Sequence, residues 1–264
     1  MKLRTLSVIQ YQNVSDSPHI HRLWLSLNSF QRQVEHLSEN DFKVISTDEA
    51  VDYMMKRTDL KQGRPVSLTF DNGYLDFYAR AYPLLFELGF SATVLINPLN
   101  VGREIKMGGQ VVPYMDWGHL RELVKGAVII GAYEDAAWNI NEIPEDVVKG
   151  YIFDFKKRLE DNLGVEVRYF GCKEGVPSPG IRDALRSAGY RAFLTQCPTY
   201  RKPDLFSVGR IQVDDEDFNI FLTKISRTYL FFKDKKSWEY IRKYSLDRLA
   251  HRISETYDKV RGGQ

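Results

Sequence analysis

The stretch that best predicts the fold of this 264-residue chain is Ser67-Leu68-Thr69-Phe70-Asp71-Asn72-Gly73-Tyr74-Leu75-Asp76-Phe77. It follows a run rich in apolar residues that predicts a strand over Pro65–Phe70, and it leads into an amphipathic run that predicts a helix over Tyr74–Leu88. The Asp-Asn-Gly step between them is ordinary turn chemistry, because glycine readily adopts positive φ. Strand, polar turn and helix in succession form the repeating unit of parallel α/β folds.

Outward from this unit, short apolar runs alternate with longer amphipathic runs along most of the chain. This alternation indicates parallel strands with crossover helices, and both a closed or nearly closed barrel and an open doubly wound sheet fit it. No G-x-G-x-x-G follows any strand, which disfavours a dinucleotide-binding sheet. The other predicted strands are Thr5–Tyr11, Phe42–Ile45, Ala92–Ile96, Ala127–Ala132, Val167–Cys172, Arg191–Thr195 and Phe206–Val213. The other predicted helices are Ser29–Ser38, Thr47–Lys56, Trp117–Val124, Pro144–Leu163 and Ser178–Ser187.

Composition restricts the classes of function. Hydrophobic residues make up 43% and charged residues 27%, as in an ordinary globular protein, and 37 Lys+Arg against 35 Asp+Glu leave a net charge of +2. This balance gives no electrostatic reason to propose a nucleic-acid partner. The sequence contains no run of 18 consecutive apolar residues, so no membrane span is predicted. The first residues lack the pattern of a secretory signal, and we therefore expect a cytoplasmic protein. Two cysteines cannot build a disulfide framework.

The last segment, Phe231–Gln264, is basic and carries an approximate helical stripe of apolar residues. We expect residues 1–230 to form the barrel and residues 231–264 to form an amphipathic helical extension packed on it. A helix that docks a partner or an anionic membrane is the alternative.

Polar residues follow three of the predicted strands. These clusters are Asp71-Asn72-Gly73, Tyr133-Glu134-Asp135 and Cys172-Lys173-Glu174-Gly175. Ligands of parallel α/β folds meet the loops at the carboxyl ends of the strands, so the three clusters predict one shared site. Taken singly, each cluster is also typical of turn or helix-capping chemistry.

The quoted stretch resembles the first motif, T-F-D-D-G, of the polysaccharide deacetylases, carbohydrate esterase family four. The resemblance runs over roughly residues 5–213, through Ala81-Tyr82-Pro83-Leu84-Leu85 and Gly89-Phe90-Ser91-Ala92-Thr93-Val94. It implies a single distorted (β/α) barrel of seven or eight parallel strands. It also implies a carbohydrate ligand and a divalent metal, usually zinc, that activates water for attack on an N-acetyl carbonyl.

The sequence departs from the family at the metal ligands. The resemblance places the general base at Asp71, whereas Asn72 stands where the family has a ligand aspartate, and Tyr133 and Ala137 stand where it has histidines. A neutral amide, a phenol with an ordinary pKa near 10 and a methyl group are poor substitutes for zinc donors. Losses of about 10–100-fold each would lower metal affinity by roughly 10³–10⁶. We therefore expect no metal and no other cofactor.

Without a metal, bound water keeps its pKa near 15.7, and Asp71 alone is a weak base. We expect Asp71 as a residual general-base position, with Lys173 pairing with Asp71, Glu134 or Asp135 in place of the metal. In the alternative, Asp71 and Asp135 hold a hard cation weakly. The predicted sugar-binding residues are Asn72, Tyr74, Tyr133, Asp135, Trp138, Lys173 and Glu174.

Two functions follow from this reading. The first is a catalytically degenerate member of the family that binds a glycan and acts as a binding, scaffolding or regulatory protein, with a glycan-assembly protein as a possible partner. The second is an active hydrolase with a remodelled site that removes N- or O-acetyl groups from a glycan or its precursor. The fold alone does not decide between them.

Overall fold

The computed structural model describes residues 6–16, 21, 24–59, 62–126, 128–196 and 204–226. It confirms the alternation of strands and helices. The strands are β1 (Ser7–Tyr11), β2 (Asn13–Ser15), β3 (Trp24–Ser26), β4 (Phe42–Val44), β5 (Arg64–Phe70), β6 (Ala92–Ile96), β7 (Glu104–Met107), β8 (Gln110–Pro113), β9 (Val128–Asn139), β10 (Tyr169–Glu174), β11 (Ala192–Thr195), β12 (Val208–Gly209) and β13 (Ile211–Gln212). The helices are α1 (Leu27–Glu39), α2 (Thr47–Met54), α3 (Tyr82–Glu87), α4 (Trp117–Lys125), α5 (Glu145–Leu163), α6 (Pro179–Ser187) and α7 (Phe218–Ile225).

The strands form a nearly closed parallel barrel in the order β12-β11-β10-β9-β6-β5-β1-β13, and β4 pairs with β5 outside this path. The predicted barrel of seven or eight parallel strands is therefore confirmed. An open sheet does not form, because the two short strands at the end of the barrel, β12 and β13, pair with opposite edges of the sheet. Val208–Gly209 pairs with β11, and Ile211–Gln212 pairs with β1. Arg210 is the one residue between these two pairings, so it lies where the barrel closes.

Large side chains fill the interior of the barrel, and two glycines make room for them. Tyr133, Leu95 and Tyr169 belong to one buried apolar cluster. A Cβ atom at Gly171 would lie 2.4 Å from Leu95 Cδ1, and one at Gly131 would lie 2.6 Å from Leu95 Cδ2. Protein interiors are close-packed, so a bulkier residue at either glycine would displace the side chains that fill the barrel.

The helix ends follow the signals in the sequence. Ser46 caps α2 in a capping box with Glu49, and acidic residues occupy its first turn. Helix α5 ends at Gly164 in the left-handed conformation. Helix α3 has Pro83 in its first turn, where proline is tolerated, and a π-helical turn over Phe77–Ala81 precedes it.

The structure adds elements that the sequence did not predict. The short β2–β3 pair and the antiparallel β7–β8 hairpin lie off the barrel sheet. The chain divides into one compact unit that ends at Asp214 and another that begins at Asp215, within which α7 lies. The basic extension predicted over residues 231–264 lies outside the described residues. Among the described residues, no helix is long and apolar enough to cross a membrane.

Candidate functional site

The candidate site lies at the carboxyl ends of the barrel strands. Asp71 directly follows β5, Asn97 directly follows β6, and Asp135 lies in the second half of β9. Strands β5, β6 and β9 are consecutive neighbours in the sheet, so these polar residues meet at one end of the barrel. Two groups of side chains are found there, one deep in the barrel and one nearer solvent.

The deep group, here called the floor cluster, consists of Asp71, Arg210, Gln10 and Tyr133. Arg210 donates from Nη1 to Asp71 Oδ1 at 2.5 Å and from Nη2 to Asp71 Oδ2 at 3.2 Å. Both side chains are 0% exposed. Arg210 Nη2 also donates to the carbonyl of Cys172 at 2.9 Å. A bidentate guanidinium–carboxylate pair is among the strongest of hydrogen-bonded arrangements, and here no solvent screens it.

Two further donors complete the surroundings of Asp71. Gln10 Nε2 donates to Asp71 Oδ2, and the Tyr133 hydroxyl donates to the same carboxylate. Burial, and then the negative charge of Asp71, raise the pKa of Tyr133 well above its ordinary value, so Tyr133 is a neutral phenol. Burial alone would lower the pKa of Arg210, but the charge and hydrogen bonds of Asp71, together with the smaller influences of Tyr133 and Cys172, raise it overall. Asp71 is therefore surrounded by donors and has a fixed cation.

Asn72 and Gly73 form the tight turn above Asp71. Asn72 has φ = 71° and Gly73 has φ = 78°, both in the left-handed region. Asparagine tolerates this region better than most residues, and glycine has no side chain to clash. The turn is tied down on both sides, since Asp71 N donates to Tyr11 O and Met115 N donates to Gly73 O, each at 2.9 Å.

The group nearer solvent, here called the rim cluster, consists of Asn97, Asn100 and Asp135. Asn97 Nδ2 donates to Asp135 Oδ1 at 2.5 Å, and Asn100 Nδ2 donates to Asp135 Oδ2 at 2.8 Å. Asp135 is half-buried, and burial raises the pKa of its carboxyl despite these two amide donors. In contrast to Asp71, its described partners are neutral.

An aromatic cluster lies beside the rim. Tyr74 stacks on Tyr114 with ring centroids 5.0 Å apart, and Trp24 packs against Tyr74 at 5.6 Å. All three side chains are buried. Burial raises the pKa of Tyr114, and the charge of Asp135 contributes to the shift, which places the aromatic cluster within electrostatic range of the rim. The predicted sugar-binding role of Tyr74 thus belongs to a largely covered ring.

Of the remaining predicted residues, some lie at the end of β10, and the side chains of others lie outside the described residues. Lys173 and Glu174 end β10 and are half-buried, and the Lys173 carbonyl accepts from Gln196 N at 3.0 Å. Arg210, which the sequence analysis did not identify, supplies a cation to Asp71. The ion pairs suggested for Lys173 stay a prediction. Trp138 and Ala137 lie in β9, but their side chains lie outside the described residues.

Metal-binding groups are absent from the part of the chain that the structure describes: no three or more His, Cys, Asp or Glu side chains there are arranged to hold an ion. His36 lies in α1 and contacts Asn40, and His119 caps α4 together with Asp116. These two histidines have local roles at helix ends. His19 and His251 lie outside the described residues.

Four residues of the site were missed by the sequence analysis, namely Gln10, Asn97, Asn100 and Arg210. Gln10 and Arg210 are polar residues inside the predicted strands Thr5–Tyr11 and Phe206–Val213, and a polar residue within such an apolar run is a usable signal for a buried polar role. Asn97 directly follows a predicted strand, as the clusters at Asp71 and Asp135 do. Nothing in the sequence pairs Arg210 with Asp71, because 139 positions separate them.

Comparison with known proteins gives one consistent result. The family model for polysaccharide deacetylase matches residues 59–193. YxkH of Bacillus subtilis (strain 168), which is provisionally named a polysaccharide deacetylase, is 20% identical over 210 residues, covering 79% of this chain and 71% of that protein. The structure of IcaB from Ammonifex degensii superposes with a TM-score of 0.69 at 26% identity, covering 79% of this chain and 91% of that chain. The structure of the Streptococcus pyogenes deacetylase PplD in complex with acetate superposes with a TM-score of 0.66 at 18% identity, covering 79% of this chain and 92% of that chain.

Proposed function

Because this chain belongs to the polysaccharide deacetylase family, we propose that it keeps the family's affinity for carbohydrate and has lost metal-dependent deacetylation. Its role would be to bind an N-acetylated or related glycan without hydrolysing it. The observation that carries the proposal is the state of Asp71, the residue at the general-base position. Its carboxylate is fully buried and held by Arg210, Gln10 and Tyr133.

A general base must come within hydrogen-bonding reach of the water or group that it deprotonates. Asp71 has 0% side-chain exposure, and donors already occupy both of its oxygens. Freeing it would leave the Arg210 guanidinium uncompensated in the barrel interior, which is energetically costly. These contacts support a structural role for the Asp71 carboxylate.

The donor set supports the loss of the metal. Zinc in proteins is bound by thiolate, imidazole and carboxylate groups, usually with three protein ligands at catalytic sites. Near Asp71 the chain offers the Asn72 amide and the Tyr133 phenol, and the residue at the remaining family position in the sequence, Ala137, has no donor atom in its side chain. The raised pKa of Tyr133 keeps the phenol protonated and therefore a poor ligand. These residues do not fit a zinc ion.

The charge balance points the same way. Arg210 neutralises Asp71, and Asn72 adds no second negative charge, so the floor cluster carries no net charge to attract a dication. A divalent ion placed beside Asp71 would also be repelled by the guanidinium at close range. The hard-cation alternative built on Asp71 and Asp135 meets the same objection, because Asp71 is already paired.

Three measurements on the purified full chain test the proposal. Titration calorimetry with zinc and with cobalt measures metal binding, acetate release from tetra-N-acetylchitotetraose (below, chitotetraose) measures hydrolysis, and calorimetry with the same N-acetylated probe measures glycan binding. We expect glycan binding without stoichiometric metal and without acetate release. One tightly bound zinc per chain, together with acetate release at ordinary enzymatic rates, would overturn the proposal and favour an active hydrolase.

The Asp71→Asn variant is the control for hydrolysis. Any acetate released by a contaminating enzyme persists with this variant, whereas release that depends on the general-base position disappears. A partner in glycan assembly and a cytoplasmic location also stay predictions. Co-purification of the chain with glycan-synthesis proteins, and fractionation of cells that express it, would test them.

A further inference from the structure

The rim cluster joins two neighbouring barrel strands at the open end of the site. Asn97 and Asn100 come from the turn after β6, and Asp135 comes from β9, which pairs with β6 over Ala92–Ile96. The two amides bind different oxygens of one carboxylate, at 2.5 Å and 2.8 Å. Asn97 is buried, whereas Asn100 and Asp135 are half-buried. The cluster is therefore built into the fold and still reaches solvent.

Backbone hydrogen bonds fix the direction of the Asn97 amide and the position of Asn100 in the turn. Asn97 Oδ1 accepts from Leu99 N at 2.9 Å, which leaves its Nδ2 for Asp135. Asn100 N donates to Asn97 O at 3.0 Å, and Arg103 N donates to Asn100 O at 3.0 Å, so the turn is closed by its own hydrogen bonds. A group fixed in this way loses little conformational entropy when a ligand binds.

The cluster keeps hydrogen-bonding capacity of both kinds. Each side-chain amide has two N–H donors, and Asn97 and Asn100 each use one of them on Asp135. An ionised carboxylate has about four lone-pair sites, of which the two amides fill two and the backbone N–H of Asp135 acts on another. One amide donor of Asn100 and an acceptor position of Asp135 thus remain on half-buried groups. A hydroxyl group, which both donates and accepts, is the complementary ligand.

A metal ion is a poorer match for this arrangement. Asn97 and Asn100 direct N–H groups, not carbonyl oxygens, toward Asp135. Hard cations take oxygen ligands from several groups, and one carboxylate flanked by two N–H donors does not provide them. The neighbouring aromatic cluster of Trp24, Tyr74 and Tyr114 lies beside the rim with its rings buried, so recognition at the rim depends on its polar groups.

We propose that the rim cluster of Asn97, Asn100 and Asp135 is a subsite for the ring hydroxyls of a neutral sugar. It selects the glycan by its hydroxyl groups, whereas the floor cluster below it is closed. The inference rests on the proposed glycan-binding function and adds to it the chemical feature that is recognised.

The test compares two probes, chitotetraose and its 3,6-di-O-methylated form, by titration calorimetry with the full chain. We expect the parent protein to bind the unmodified probe about tenfold or more tightly, since a hydrogen bond to a charged group carries that much discrimination. Asn100→Ala and Asp135→Asn should each weaken binding of chitotetraose about tenfold and remove the preference between the probes. Asn162→Ala, which removes an exposed amide on α5 that bonds only to the Arg158 carbonyl among described residues, is the matched control and should behave like the parent.

The outcomes separate this inference from the proposed function. If the parent binds chitotetraose, and Asn100→Ala and Asp135→Asn both retain its affinity and its preference, the subsite is wrong and glycan binding stands. If the parent binds neither probe, glycan binding itself is wrong. A purely structural brace at the rim would lower the thermal stability of Asn100→Ala while leaving the preference between the two probes intact, which also overturns the inference.

Discussion

Two carboxylates at the same end of one barrel have opposite surroundings. Asp71 is fully buried and paired with the Arg210 cation, whereas Asp135 is half-buried and bound by the neutral amides of Asn97 and Asn100. An ion pair neutralises a buried charge and makes it part of the framework. Neutral donors instead leave the charge of Asp135 in place and within reach of a ligand. The difference indicates that the floor of the site holds the barrel together and that the rim remains available for binding.

The comparison depends on the proposal that Tyr133 stands at the position of a family metal ligand, and restoring the family's donors should change the surroundings of Asp71. Asn72→Asp, Tyr133→His and Ala137→His together should raise the affinity for zinc or cobalt by roughly 10³-fold or more, since three ligands are regained at about 10–100-fold each. Titration calorimetry of the triple variant measures the gain, with Asn72→Asp alone as the control. If the triple variant folds and binds metal no better than the parent, the alignment of these positions with the family motif is in error.

Removing the cation from the floor should have the next largest effect. Arg210→Met leaves Asp71 as an uncompensated buried charge, and the free energy of unfolding should fall by about 3–5 kcal/mol. Urea denaturation followed by circular dichroism measures the change. The double variant Asp71→Asn with Arg210→Met removes both charges and should recover part of the loss.

An exposed ion pair provides the matched comparison for Arg210. Lys157 and Asp161 pair on the surface of α5 at 2.5 Å, and Lys157→Met should leave the urea midpoint unchanged. An equal, small effect of Arg210→Met and Lys157→Met would show that burial of the Asp71 pair contributes nothing.

The smallest expected effect concerns the rim and its pH dependence. Burial raises the pKa of Asp135 above its ordinary 3.8, so the folded state binds a proton more tightly than the unfolded state does. The contribution of Asp135 to stability is therefore lost as pH rises from that value through the raised pKa. Asp135→Asn should remove this slope, and urea midpoints collected from pH 3.5 upward compare the two chains. Parallel pH profiles for the variant and the parent would contradict the assignment.

Much of the fold was predicted from local patterns. The strand over Ala92–Ile96 and the helix starting at Trp117 were located from apolar periodicity and bounding polar residues, and capping predicted the start of α2. The β7–β8 hairpin was missed because its strands are mostly exposed and show no strong alternation. Of the site, Asp71, Tyr133 and Asp135 were found through their positions at strand ends. Gln10 and Asn97 were missed because their partners lie 61 and 38 residues away.

The sequence by itself determined the order of strands and helices and the parallel class of the sheet, and it predicted Asp71, Tyr133 and Asp135 at strand ends. These are local properties, set by side-chain periodicity and residue identity. Only the tertiary structure decided that Arg210 pairs with Asp71 and that two asparagines hold Asp135. Such pairings arise from closure of the barrel, which brings distant strand ends to one place, and no local pattern encodes that distance.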